Sequence, residues 1–230
     1  MWNKSDKEGF DYWTPKSVGQ ICRGSLLGEI IYNLCLQDDV NTIFEIGTWN
    51  GHGSTKCIAD AIKTQTHKSL ISLECNLEKV NYAKELYKDY SNINILHSTI
   101  LKNIPKVEEF YSLFPDIQKD DFKSNGWLNI DIENLKNCDY IEPPKNVDLA
   151  ILDGGEYTTY YEFQTLKDNS NVNYIILDDV NTEKCNLIRK LLLNNPSYIL
   201  VKENLQDRHG WSLFKRKSTR YAESDQRSVD

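Results

Sequence analysis

The stretch Thr42-Ile-Phe-Glu45-Ile-Gly47-Thr-Trp-Asn-Gly51-His-Gly53-Ser54 decides the fold. A short apolar run ends in a turn carrying Gly47, Gly51 and Gly53, and a helical pattern opens at Ser54 or Thr55 and reaches about Lys63. Glycine lets the chain turn tightly and lets a ligand approach the backbone, so strand, glycine turn and helix in this order form the first unit of a ligand-binding α/β sheet. Toward the C-terminus, four more apolar runs follow: Ser69–Glu74, Asn92–His97, Val147–Leu152 and Asn173–Leu177. Helical patterns over Leu77–Tyr90 and Thr182–Leu193 alternate with them. Near-continuous apolar runs suit strands buried on both faces of a parallel sheet. Two final runs, Ser197–Lys202 and Trp211–Lys215, flank a polar turn with Gly210 and predict an antiparallel hairpin.

Toward the N-terminus, Pro15 suits a first helical turn. Ile21, Leu26, Leu27, Ile30, Ile31 and Leu34 then recur at helical spacing as far as Gln37-Asp-Asp39. Residues 101–146 are too long for a single connection, and a structureless loop of that length is unusual, so short helices forming a cap are expected there. The expectation is an α/β fold: a doubly wound, mostly parallel sheet with a C-terminal antiparallel hairpin and an inserted cap. Its parts are an N-terminal arm and helix (1–40), the main domain (41–217, with 101–146 inserted) and a polar tail (218–230).

The 230 residues carry a net charge of −7, which repels phosphate backbones and disfavours nucleic acid as a partner. The first residues hold no apolar signal core, and no stretch reaches the roughly 18 apolar residues of a membrane span. A cytoplasmic protein that does not meet the membrane is therefore expected, with a homo-oligomer left open. Six cysteines show no C-x-x-C spacing, which suits reduced, structural thiols.

In open α/β sheets the ligand lies beyond the carboxyl ends of the strands, where strand order reverses. Glu74 ends the second run, where a carboxylate can accept both hydroxyls of a ribose. Dinucleotide folds share that acid, so it does not choose the ligand. The loop does, because it reads G-x-x-x-G-x-G, not G-x-G-x-x-G. Glu45, two residues before Gly47, suits a cationic or amino-bearing ligand and would repel a pyrophosphate. S-adenosylmethionine has a sulfonium and an α-amino group and meets that requirement.

Glu45-Ile-Gly-Thr-Trp-Asn-Gly51 resembles motif I of the class I S-adenosylmethionine-dependent methyltransferases. Glu74 resembles their motif II acid, and the C-terminal hairpin resembles the strand pair that closes their sheet. The likeness spans about residues 40–217 apart from the insertion. It implies cofactor contacts from Glu45, Gly47, Thr48, Gly51, Glu74 and Asp153, with Ser98 and Thr99 near the adenine.

Asp153 ends the fourth run, and Asp178-Asp179 end the fifth. If those runs pair as neighbouring strands, three carboxylates converge on one rim. Two like charges about 4 Å apart repel by roughly 4 kcal/mol at an effective dielectric near 20. Such a cluster needs protons, basic partners or a cation, and oxygen-only ligands favour Mg²⁺, Ca²⁺ or Mn²⁺. The pattern resembles the metal-dependent O-methyltransferases of the catechol and macrocin types, which implies Asp153, Asp178 and Asp179 as metal ligands. Those families often carry Lys or His as base three residues after the strand-four acid; here Glu156 stands there. Glu156 is read as a base, a fourth metal ligand or a bystander; as a base it forms with Asp153 the expected catalytic pair, acting on a hydroxyl of a small molecule or sugar. The rivals are a metal-free N- or protein methyltransferase, a non-catalytic binding module, and a dinucleotide oxidoreductase that the loop spacing disfavours.

Overall fold

The computed structural model describes residues 21–119 and 123–217. At its centre is one eight-stranded sheet: β1 (Thr42–Ile46), β2 (Ser69–Glu74), β3 (Ile93–Thr99), β4 (Asp139–Tyr140), β5 (Asn146–Leu152), β6 (Asn171–Asp178), β7 (Tyr198–Asn204) and β8 (Trp211–Arg216). The strands lie in the order β4-β3-β2-β1-β5-β6-β8-β7. Pairing is parallel from β4 through β6, and β8 runs antiparallel to both β6 and β7. The chain steps outward from β1 to β4 and then returns to β5 on the other side of β1. Strand order therefore reverses between β1 and β5, and the crevice above that point is where an open α/β sheet receives a ligand.

The helices are α1 (Leu26–Cys35), α2 (Ser54–Ile62), α3 (Leu77–Tyr87), α4 (Val107–Leu113), α5 (Asn129–Lys136), α6 (Thr159–Asn169) and α7 (Asn186–Leu193). Side chains alternate across a strand, so each strand feeds two layers. Ile43 packs with Leu27, Ile31, Ile58 and Val80, from α1, α2 and α3. Its neighbour Phe44 belongs to the opposite cluster, with Phe163, Leu166, Ile188 and Leu192 from α6 and α7. This two-sided burial explains why β1 and β5 read as near-continuous apolar runs. Fully burying each such Leu, Ile or Phe stabilises the fold by about 1.5–3 kcal/mol.

Several boundaries differ from expectation. Among the described residues the first helix begins at Leu26, where Gly24 takes φ +92° and the Ser25 hydroxyl caps the helix by accepting from the Gly28 amide at 3.1 Å. Pro15, the aromatic arm and the tail from Ser218 lie outside the described residues. α3 ends at Tyr87, short of Tyr90. α7 starts at Asn186, not Thr182, because the Thr182 amide and hydroxyl both turn back onto the Asp179 carbonyl at 3.1 Å.

The insertion forms α4, a 3-10 turn at Pro115–Lys119, a π-helical segment at Lys123–Leu128 and α5. Phe110, Phe114, Ile117, Leu128 and Ile132 form its own small core, closed by Tyr157 of the main domain. β4, two exposed residues paired with Ser98 and Thr99, had no signal in the sequence. All six cysteines are free. Among the described residues no helix is long and apolar enough to cross a membrane.

Candidate functional site

The glycine loop closes over the ends of three strands. The amides of Gly47 and Thr48 donate to the Leu73 carbonyl at 2.9 and 3.1 Å, and the Asp153 amide donates to the Ile46 carbonyl at 2.9 Å. Gly47 has φ +98°, and a Cβ there would lie 1.9 Å from the Asp153 carbonyl oxygen. The loop and the strand-five acid are thus in backbone contact at the point where strand order reverses. Gly51, at φ +81°, lies against the Tyr87 ring, whose hydroxyl donates to the Gly51 carbonyl.

Glu74 is held at the crest of this loop. Its Oε2 accepts from the Trp49 amide at 2.7 Å, and its Oε1 accepts from the Asn76 amide at 2.8 Å. Trp49 adopts a left-handed backbone at φ +51°, uncommon for a bulky residue, and its ring carries the Lys79 ammonium 2.9 Å from the centroid. Burial raises the Glu74 carboxyl pKa, and the amide hydrogen bonds oppose it. A carboxylate offers about four acceptor sites, more than these amides occupy, which leaves acceptor capacity for a hydroxyl-bearing ligand.

Glu45 is turned inward. It is buried and accepts from Ser54 Oγ at 2.6 Å, Thr55 Oγ1 at 2.7 Å and the Ser72 hydroxyl. Thr48 Oγ1 joins this cluster through Ser72. Burial pushes the Glu45 carboxyl up to about 7 against these hydrogen bonds. Glu45 therefore ties loop, α2 and β2 together, in place of the open contact with a cationic ligand that its sequence position suggested. Ser98 and Thr99 are buried at the end of β3, and the Thr99 hydroxyl donates to Glu162 Oε1 at 3.2 Å. His97 contacts the Cys75 carbonyl, and His52 pairs with the Tyr82 hydroxyl on the surface.

The three strand-end aspartates do converge: one oxygen from each of Asp153, Asp178 and Asp179 lies within 4.8 Å of the others. β5 and β6 pair in parallel with Leu152 opposite Leu177, which brings the following residues level. Basic partners already hold them. Lys184 Nζ donates to Asp153 Oδ1 and to Asp179 Oδ2, each at 2.8 Å. Arg208 donates to Asp178 Oδ1.

Local structure explains both placements. Asp179 takes φ +53°, a left-handed conformation that Asp tolerates, and starts the turn that swings Lys184 back over the rim. Buried Cys185 packs its thiol onto the Leu152 carbonyl and anchors the end of that turn. The amides of Val180 and Asn181 donate to the carbonyls of Gly210 and His209, so the β7–β8 turn is fastened to the same loop and delivers Arg208. Arg208, which the sequence places in a polar turn, is thereby drawn into the rim.

Whether a divalent ion fits can be judged from these donors. Three carboxylate oxygens at this spacing are the right ligand type. The oxygens are engaged, however, by an ammonium and a guanidinium, and an ion among them would sit against two fixed positive charges. Burial works against the Lys184 charge, but Asp153 and Asp179 outweigh it and hold the ammonium pKa well above its ordinary value. With both cations in place, the triad does not fit a metal ion. Glu156 lies on the next turn and shares a hydrogen bond with Thr182; burial raises its carboxyl pKa.

Two further acids escaped the sequence reading. Asp131, from the insertion helix α5, is wedged against Gly155, where a Cβ would lie 2.5 Å from Asp131 Oδ2. It accepts from the Tyr157 amide, but its buried Oδ2 has no hydrogen-bond partner, and burial pushes the carboxyl up to about 7. Asn50, within the glycine loop, likewise has a buried Nδ2 without a partner. An unfilled acceptor and an unfilled donor beside this rim suit a ligand carrying both kinds of group. Position within the insertion gave Asp131 no pattern to read.

Glu162 of α6 is buried near Gly154, and burial raises its carboxyl to about 7 from the usual 4.5. Its folded pKa lies above its unfolded one. Folding therefore holds a proton that the unfolded chain releases, and stability falls as pH rises from 4.5 to about 7. Glu162→Gln should remove that loss, adding about 2–3 kcal/mol at alkaline pH, or roughly 4–12 °C in Tm. Melting curves at pH 4.5 and pH 8 check this; an equal Tm change at both would contradict it.

The parallel sheet reversing between β1 and β5, closed by an antiparallel pair and carrying an acid at the end of β2, is the Rossmann-like fold of the class I S-adenosylmethionine-dependent methyltransferases. Solved structures agree. The chain is similar to a Staphylococcus aureus protein described as a caffeoyl-CoA O-methyltransferase (TM-score 0.56, 16% identity, 94% of this chain and 93% of that one). It is similar to an O-methyltransferase from Bacillus cereus in complex with SAH (TM-score 0.54, 14% identity, 94% and 92% covered). An SAH-bound methyltransferase from Podospora anserina gives a TM-score of 0.54 at 11% identity, covering 95% and 98%. At such identities the likeness concerns the fold. No family model matches the sequence, and neither does any curated protein.

Proposed function

We propose that this chain is a cytoplasmic S-adenosylmethionine-dependent methyltransferase that methylates a hydroxyl of a small molecule, sugars included. The observation that carries the reading is Glu74, fixed by two backbone amides on a glycine loop at the switch point and retaining acceptor sites for a ribose. When bound, the cofactor supplies a methyl group activated by a sulfonium. Glu74, Glu156 and the paired Asp153, Asp178 and Asp179 place five carboxyl groups at that rim against the two cations Lys184 and Arg208, an acidic balance that favours a cationic ligand. The net charge of −7 supports a small acceptor over nucleic acid.

A cleft of about 300 Å³ between the insertion and the β6–α7 turn, lined by Phe114, Pro115, Asn181, Thr182 and Leu187, includes the Thr182 that hydrogen-bonds Glu156 and is the proposed entrance for the acceptor. Glu156 is the group to take the hydroxyl proton, since a raised carboxyl pKa brings a base closer to working pH. The O-methyltransferases among the structural neighbours support oxygen as the acceptor atom. The divalent ion suggested by the acids alone is not part of this proposal. Label transfer from methyl-labelled cofactor to catechols, sugars, amines and RNA tests it. Label in hydroxyl acceptors as an ether is expected. Label confined to amines or RNA would contradict it.

A further inference from the structure

Lys184 is not required by the methyl-transfer reading, yet it occupies the most charged point of the rim. Its side chain is 13% exposed, and those of its partners Asp153 and Asp179 are 25% and 18% exposed. An ammonium has three N–H donors, and two of them are directed at carboxylates. The backbone holds it there at both ends: Asp179 turns the chain, and Cys185 pins it to the end of β5. The companion Asp178 is closed by Arg208, so none of the three acids is left without a positive partner.

We propose that Lys184 is the built-in cation of this site. Its ammonium, seated between Asp153 and Asp179, takes the place a divalent ion would need, excludes that ion, and offers its remaining N–H to an oxygen of the acceptor. The exclusion follows from the acid–base geometry alone; the contact with the acceptor rests on the methyl-transfer proposal. A fixed organic cation can orient and polarise an oxygen without metal loading, at the cost of a single, less adaptable coordination direction. The acid-rich rim is then held together by chain chemistry, and the site should not depend on the metal content of its surroundings.

The test is Mn²⁺ binding to the full chain, read by electron paramagnetic resonance, for the wild type, Lys184→Ala and the volume-preserving Lys184→Met. The wild type should bind Mn²⁺ no better than millimolar. Lys184→Ala and Lys184→Met, which uncover the carboxylates, should bind at least about 100-fold more tightly. Wild-type binding as tight as that of the variants would overturn the proposal. So would variants that stay folded, by circular dichroism, and still fail to bind.

Wild-type turnover should be unchanged in excess chelator, and loss of turnover there would also overturn it. Calorimetry with S-adenosylhomocysteine on the same samples separates the two ideas. Absence of heat would remove the methyl-transfer proposal and the acceptor contact while leaving the Mn²⁺ result to decide the exclusion.

Discussion

Gly47→Ala should cost more than about 4 kcal/mol of stability and leave little folded protein at 37 °C. Two independent effects add. At φ +98° an L-residue is strained by roughly 1–2 kcal/mol. The new methyl would also lie 1.9 Å from the Asp153 carbonyl oxygen and 2.4 Å from its carbon. Backbone cannot rotate away as a side chain can. The collision would have to open the hydrogen bonds joining Ile46 to Asp153 and Gly47 to Leu73, which hold the ends of β1, β2 and β5. Gly51→Ala provides a scale, because its nearest contacts would be the Tyr87 ring, at 3.0 Å, and an Ala83 methyl, at 3.2 Å, with no atom as close as the Asp153 backbone is to Gly47. Urea unfolding of the two variants checks the ranking. A Gly47→Ala protein within about 1 kcal/mol of wild type would show that the strand ends are not in contact as described.

Glu74→Ala should weaken S-adenosylhomocysteine binding by about 100-fold or more while costing far less stability than Gly47→Ala. Hydrogen bonds to a charged group are worth about 1.5–3 kcal/mol each, and every 1.4 kcal/mol is tenfold in affinity. The substitution removes the proposed acceptor for the ligand diol and also releases the Trp49 and Asn76 amides that shape the loop. Glu74→Gln retains one carbonyl acceptor and should fall between the two. Calorimetric titration reads all three, and equal affinities would place the ribose elsewhere.

The first βα unit could be read from sequence because its two determinants are local. An apolar run buried on both faces and glycines at positive φ leave the same mark wherever the chain later goes. The convergence of Asp153, Asp178 and Asp179 was legible for a similar reason, since parallel neighbouring strands place their ends side by side. What neutralises them was not. Lys184 reaches the rim only because Asp179 adopts a left-handed turn, and Arg208 only because the β7–β8 turn is fastened to the loop after β6.

The requirement for positive partners could be stated from Coulomb repulsion; their identity depended on tertiary packing. Asp131 lay deeper still, since the placement of the insertion rests on its own core around Phe110 and Tyr157. Glu45 illustrates the opposite case. Its acid was visible beside the glycines, but Ser54, Thr55 and Ser72 all turn toward it and make it part of the scaffold.

Titration of S-adenosylhomocysteine into the wild-type chain probes the switch-point rim most directly. One molecule per chain, binding in the micromolar range and lost in Glu74→Ala, is the predicted result. A folded wild-type protein that gives no heat with this ligand would contradict the assignment of the rim as a cofactor site.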